Sequence, residues 1–157
     1  MINTALNFIS IFLKCREING FNDEPYLERY SIIRSKNFNV YLHKFLASDP
    51  DRGLHDHPFK WNWSFILYGH YNEQTENGYS KRQQFSVGCF DSKHKHRVVL
   101  TSTYCWTIFA HGPRVKGWGF FNAGNYKAVS TSANDNSVNV DSWAKSKRKI
   151  LKIIGVK

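Results

Sequence analysis

Gly53 to Gly69 reads GLHDHPFKWNWSFILYG, and the spacing of its two histidines decides the fold. His55 and His57 are two apart, so on a strand they point the same way. Their Cα atoms then sit roughly 6.5 to 7 Å apart, close enough for two imidazoles to converge on one ion. On a helix the same pair would point about 200° apart and would not chelate. The residues that follow favour a strand, with Trp61, Trp63, Phe65 and Leu67 alternating with Asn62, Ser64, Ile66 and Tyr68. Pro58 sits at the lip of this strand, where a missing N–H is tolerated.

A third imidazole must come from elsewhere in the chain. His96 opens the apolar run His96-Arg97-Val98-Val99-Leu100, and on a strand it shares a face with Val98 and Leu100. His55, His57 and His96 form the expected metal set. His94 alternates onto the same face as His96 and is the rival for the third place. Asp56 alternates away from the two histidines and is a weak candidate ligand.

On these residues the chain resembles the RmlC-like cupin superfamily. The first motif of that family, G(x)5HxH(x)3–4E(x)6G, is matched by His55, His57 and Gly69, with Asn62 at the Glu position. The second motif is matched loosely: Gly88 precedes it and His96 takes the histidine place. Lys93 replaces its inner Gly, and Leu100 its Asn. The resemblance spans about residues 38 to 122. It is nearest to small bacterial and phage cupins with an HDHP motif, here within Arg52 to Pro58. Those also carry a later H-R-V and a G-P-R…W-G-F segment, here His96 to Val98 and Gly112 to Phe120. The resemblance implies an all-β fold, a single small β-barrel of the jelly-roll or double-stranded β-helix kind.

Size and composition agree with that expectation. A chain of 157 residues is one domain by length, and its aromatic fraction of 16% lies mostly within the β-like runs. Short runs broken by Gly, Asn and Asp argue for a sandwich or barrel. Residues 1–20 are expected to form an N-terminal helix packed on the barrel, 21–124 the barrel, and 125–157 a polar linker and basic tail. In the helix, Leu6, Ile9, Phe12 and Leu13 make the apolar face and Asn3 the N-cap. No apolar run is long enough to span a membrane, and the first residues do not read as a signal peptide. Cys15, Cys89 and Cys105 are odd in number and form no CxxC pair, which points to a reduced, cytoplasmic setting and to inert thiols.

Strands are expected at Tyr26–Ile33, Phe38–Leu46, Tyr104–Phe109 and Lys116–Phe121, with a hairpin turn at Glu76-Asn77-Gly78. Asp51 and Arg52 are read as a pair at the mouth. Asn122 to Asp141 reads as loop. The tail from Trp143 to Lys157 carries Lys145, Lys147, Arg148, Lys149, Lys152 and Lys157 with no acid, so it holds more than half of the net charge of +10. That suits contact with nucleic acid or an acidic partner.

Asn62 in the Glu position leaves three neutral imidazoles, and a divalent ion on them keeps its full double charge. Imidazole-rich sites suit a divalent transition metal: Fe(II) is favoured, with Zn(II), Ni(II) or Cu(II) as alternatives. The arrangement is similar to the three-histidine centre of the thiol dioxygenases within the superfamily. The expected function is a metal-dependent, dioxygenase-like cupin acting on a small polar or anionic molecule. Tyr41, Tyr68 and Glu73 are the candidates for proton handling, and His43, Asn62 and Arg114 for substrate contact. The alternatives are a cupin that binds a small ligand without turning it over, and a scaffold whose basic tail grips a polyanion. A homodimer is what the resemblance implies.

Overall fold

The computed structural model describes residues 1–20, 24–122 and 124–129, and the backbone of 137–140. The basic tail expected at 143–157 lies outside the described residues. A helix, α1 (Ile2–Ser10), is followed by β1 (Lys14–Asn19), β2 (Pro25–Arg34), β3 (Asn39–Phe45), β4 (Leu54–His55), β5 (Trp61–Tyr68), β6 (Tyr71–Thr75) and β7 (Gly78–Arg82). The chain continues through β8 (Val87–Asp91), β9 (His96–Leu100), β10 (Cys105–His111), β11 (Gly119–Asn122), β12 (Asn125–Ala128) and β13 (Ser137–Val140). All pairings are antiparallel, in two sheets: β13-β1-β2-β3-β10-β5-β8 and β12-β11-β4-β9-β6-β7. Among the described strands no pairing joins one sheet to the other. The closure is therefore that of a jelly-roll sandwich rather than of a continuously hydrogen-bonded barrel.

Strand alternation sorts the residues of the larger sheet. Its inner face carries Leu27, Phe45, Ile66 and Cys105, which meet Tyr71 and Val98 of the smaller sheet in one buried cluster. Its outer face carries Cys15, Tyr30, Leu42 and Trp106, closed over by Leu6 of α1. The helix thus lies outside the sandwich, as its pattern leads one to expect. Burial of these side chains at roughly 25 cal/mol per Å2 of apolar area holds both layers together.

Three local expectations change. Asn3 lies inside α1, whose N-cap is Met1. Its side chain reaches across instead, donating to the Tyr104 hydroxyl at 2.9 Å and accepting from Trp106 Nε1 at 3.0 Å. Of the apolar helix face, Leu6 is buried, but Ile9 is 50% and Phe12 70% exposed: the buried side of α1 is Leu6 with Ser10, and Phe12 lies beyond the helix end. The stretch read as loop supplies β12, paired with β11, and β13, paired with β1 through Cys15↔Val140 and Ile18↔Ser137.

Two glycines bracket the histidine segment. Gly53 has φ +89° and Gly69 has φ +81°. A Cβ at Gly53 would run into the Phe121 carbonyl, and one at Gly69 into the Tyr104 carbonyl. Gly53 lets the chain enter β4 beside β11, and Gly69 lets it leave β5 for the opposite sheet.

Candidate metal centre

The HDH segment is strand-like only at its start. β4 has two residues, and His55 is paired directly with His96 of β9 and with Phe120 of β11. His57 lies beyond the ladder, yet its ring comes within 5.1 Å of both other rings. The anchor is Asp56 between them. Its buried carboxylate accepts from the Gly119 amide at 2.9 Å and forms an ion pair with Lys116, while its own amide donates to the Gly119 carbonyl. Asp56 therefore faces away from the histidines, as alternation predicts, and pins the segment to the turn before β11.

The donor atoms of His55, His57 and His96 lie within 4.8 Å of one another, and His57 Nε2 faces His96 Nε2 at 2.9 Å. Glu73 of β6 holds the other nitrogen of His96, with Oε1 2.7 Å from Nδ1, and also touches His94 Nε2 at 3.0 Å. An acceptor on Nδ1 fixes the tautomer that leaves the Nε2 lone pair free. Asp49 Oδ2 stands 3.7 Å from His55 Nδ1 and accepts from the Val98 amide.

Electrostatics favour ligand-competent imidazoles. Burial, then the charges of His96 and its neighbours, pushes His55 and His57 well below the ordinary histidine range, so both are neutral near pH 7. Burial works against the charge on Glu73. The bonds from His94 and His96, with the His96 and Arg82 charges, outweigh it and hold the carboxyl far below its usual range. Two neutral nitrogens facing each other at 2.9 Å need a proton or a cation between them, so this donor set fits a divalent metal. Glu73, His94 and His96 form a second geometric group. The first is preferred because His55, His57 and His96 all line the central cavity and His94 does not.

That cavity has a volume of about 1130 Å3 between the sheets. Of the proton-handling candidates, Tyr41 and Glu73 line it. Tyr68 does not. It stacks on Tyr104 at 5.8 Å in the cluster under α1, because the register of β5 against β10 shifts between Ile66 and Tyr68 and turns Tyr68 to the outer face opposite Trp106. Of the substrate candidates, His43 lines the cavity, accepting from Arg29 Nε at 3.1 Å and stacking on Phe109 at 5.2 Å. Arg114 is exposed at the cavity lining. Asn62 is fully buried but absent from the lining. Its Nδ2 points to the Phe90 carbonyl at 3.5 Å, and its Oδ1 has no hydrogen-bond partner among the described residues. Asp51 pairs with Arg97 at 2.6 Å, and the Arg52 guanidinium lies over Phe120.

Several cavity residues were not foreseen. His111 extends β10 two residues past the expected end at Phe109. It donates from Nδ1 to the Gly112 carbonyl and stacks face to face on Phe59. Arg29 faces inward on β2 beside Leu27, with its guanidinium 5.2 Å over the Tyr41 ring. Alternation along Tyr26–Ile33 already put Arg29 with Leu27. Cys15 and Cys105 are buried and Cys89 is exposed; burial pushes the Cys105 thiol up to about 12.

Two facing antiparallel sheets around a cavity with a three-histidine cluster are the architecture of a cupin with a candidate divalent-metal site. Comparison with solved structures supports the fold. A sugar phosphate isomerase from a cupin superfamily, from Silicibacter pomeroyi, superposes with a TM-score of 0.57 at 11% identity, over 78% of this chain and 91% of that one. A Ralstonia eutropha protein described as a candidate mannose-6-phosphate isomerase gives 0.52 at 14% identity, over 57% of this chain and 87% of that one. No family model and no curated protein matches the sequence. The chain has the RmlC-like cupin fold. No helix among the described residues is long and apolar enough to cross a membrane.

Proposed function

We propose that the chain is a metal-dependent cupin enzyme, dioxygenase-like, acting on a small polar or anionic molecule at His55, His57 and His96. The observation that carries this reading is the convergence of three imidazoles in the cavity, with two Nε2 atoms 2.9 Å apart and Glu73 behind His96. Fe(II) is the favoured ion, and a bound metal supplies a Lewis-acid centre able to bring dioxygen and substrate together. Glu73 holds a proton on His96 Nδ1, and Asp56 keeps His55 and His57 in place. Tyr41, His43 and Arg29 form the wall on which a substrate is oriented.

A second reading, a cupin that binds a ligand without turnover, is favoured by the state of the cavity carboxylates. Asp49, Asp56 and Glu73 are all engaged by amides, a lysine or histidines, and none is left as an obvious general base. Elemental analysis of tag-free protein, wild type beside His55→Ala/His57→Ala, tests the metal. Near-stoichiometric transition metal, lost in the double variant, is expected. A wild type that is metal-free and takes up neither added Fe(II) nor Zn(II) overturns the enzyme reading. Dioxygen uptake by the iron-loaded protein then separates turnover from binding.

A further inference from the structure

The helix α1 covers only part of the outer face of the larger sheet. Leu6 closes over Cys15, Tyr30, Leu42 and Trp106, which belong to β1, β2, β3 and β10. Beyond them the outer face runs on to β5 and to β8 at the edge of the sheet. The register draws two cross-strand rows there. One runs from Leu42 under the helix through Ile108 and Phe65 to Val87. The other is Ile33, Val40, Ala110, Trp63 and Cys89. Neither row holds a charged residue. A strand with one face in a core and one in water carries its polar residues on the wet side. β5 does the reverse: Asn62 and Ser64 face inward, and Trp61, Trp63 and Phe65 face out.

Phe85 joins this face under strain. It sits in the turn before β8 with φ +69°, a left-handed backbone that suits glycine or asparagine far better than a bulky side chain. Its amide donates to the Ile66 carbonyl at 2.8 Å, which fixes the turn. Its ring stacks on Phe65 at 6.2 Å and yet stays 62% exposed. Trp63 stacks on Phe65 in turn, at 6.1 Å. Val87 is 50% exposed, Ile33 and Trp61 are exposed as well, and the exposed Phe38 packs beside Trp61 at 6.0 Å. Side chains this open, with Trp63 and Phe65 half-buried between them, present on the order of 600 Å2 of apolar surface. That is at the upper end for a lone monomer and close to the roughly 800 Å2 that a standard interface takes from each partner.

We propose that this face packs on the same face of a second copy of the chain about a two-fold axis, with Trp63, Phe65 and Phe85 as its anchors. A two-fold brings one patch onto itself, so a single apolar face is enough, and the two sheets then lie about 10 Å apart as in a sandwich. Charge selects this occupant. The chain carries +10, so two copies repel over most of their surface, and rows without lysine or arginine are where they approach most easily. A polyanion would find no cation in either row. The chain's own basic segment at 143–157 follows β13, which is six strand spacings, or roughly 29 Å, from β8, and the rows offer its lysines no acid. Burial of the Phe85 ring in the dimer offsets the strain of its backbone. Neither the face nor its test involves the histidine cluster.

Sedimentation velocity of the tag-free full chain under reducing conditions, from about 1 to 100 μM, tests the proposal. A monomer–dimer equilibrium is expected, and it should tighten as salt rises from about 0.05 to 0.5 M, because screening removes the repulsion between two basic copies. Val87→Lys sets a charge in the first row at an exposed position. Phe85→Asn removes the ring and puts in its place a residue suited to the left-handed backbone. Neither change touches the core, and far-UV circular dichroism checks that both variants fold. Each should weaken the dimer at least tenfold. Cys89 reports on the surface independently, since it is exposed while Cys15 and Cys105 are buried. Its reaction with a disulfide reagent should slow at least threefold as wild type passes from monomer to dimer. A wild type that is monomeric throughout this range overturns the proposal and leaves the face to the chain's own C-terminal residues or to a different protein. A dimer that neither substitution weakens, that salt dissociates, or in which Cys89 reacts at the monomer's rate lies on another surface and also overturns it.

Discussion

Glu73→Gln should weaken metal binding without unfolding the protein. The carboxylate is largely buried behind His96, with Oε1 2.7 Å from Nδ1, and it also contacts His94 at 3.0 Å and Arg82 at 3.7 Å. Glutamine has the same shape and can still accept from the His96 N–H through its carbonyl oxygen. It loses the negative charge that makes the imidazole more basic, and its NH2, in the place of Oε2, sets a donor facing the Arg82 guanidinium. Carboxylates behind a metal-bound histidine are worth roughly 10- to 100-fold in affinity. At about 1.4 kcal/mol per tenfold, that is about 1.4 to 2.8 kcal/mol. Competition against a chromophoric chelator for Zn(II) and Fe(II) reads it directly, with far-UV circular dichroism as the control for folding. Glu76→Gln is the matched comparison, since Glu76 is exposed and its partner is the surface Lys95. An affinity for Glu73→Gln within twofold of wild type would show that Glu73 does not orient a metal-binding His96.

Three further outcomes follow from the same geometry. His43, His55 and His57 are held neutral by burial, so the unfolded chain binds more protons once pH drops below about 6.5. Stability of chelator-treated protein should be full above that pH and fall below it, by up to about 1.4 kcal/mol per pH unit for each histidine; a urea midpoint unmoved between pH 7.5 and 5.5 would contradict the buried neutral state. Gly69→Ala forces a side chain into a left-handed backbone and against the Tyr104 carbonyl. It should cost at least about 2 kcal/mol, or roughly 4 to 8 °C in Tm, and an unchanged melting curve would refute the strain. Tyr68→Phe should leave metal affinity unchanged within twofold, because Tyr68 stacks on Tyr104 away from the cavity; a larger loss would return it to the site.

The elements legible in the sequence were those with strong alternation. His96–Leu100 and the Glu76-Asn77-Gly78 turn are seen where period-two patterning and turn chemistry place them. The convergence of His55 and His57 was also legible, though for a partly different reason. Spacing put both on one strand face, whereas the ladder stops at His55, and Asp56 and Gly119 carry His57 into position. Tyr68 and Asn62 were assigned to a strand correctly, but the register of β5 against β10 shifts between Ile66 and Tyr68, so the two do not share a face as simple alternation has it. β5 buries Asn62 and Ile66 inward and turns its aromatic residues out, where Trp63 stacks on Phe65. β12 and β13 escaped because their Asn- and Ser-rich composition has little β propensity. Their pairing with β11 and β1 overrides it.

The pairing of β13 with β1 bears on how the chain is made. The strands that carry the histidines, β4 and β9 with β11 beside them, need the chain only as far as Asn122. The larger sheet is not finished until Val140 reaches Cys15. During synthesis β1 is therefore an open edge, with unpaired amides and carbonyls ready to accept a strand from another nascent chain. Lys14 and Arg16 stand on that edge, and charges so placed discourage such pairing.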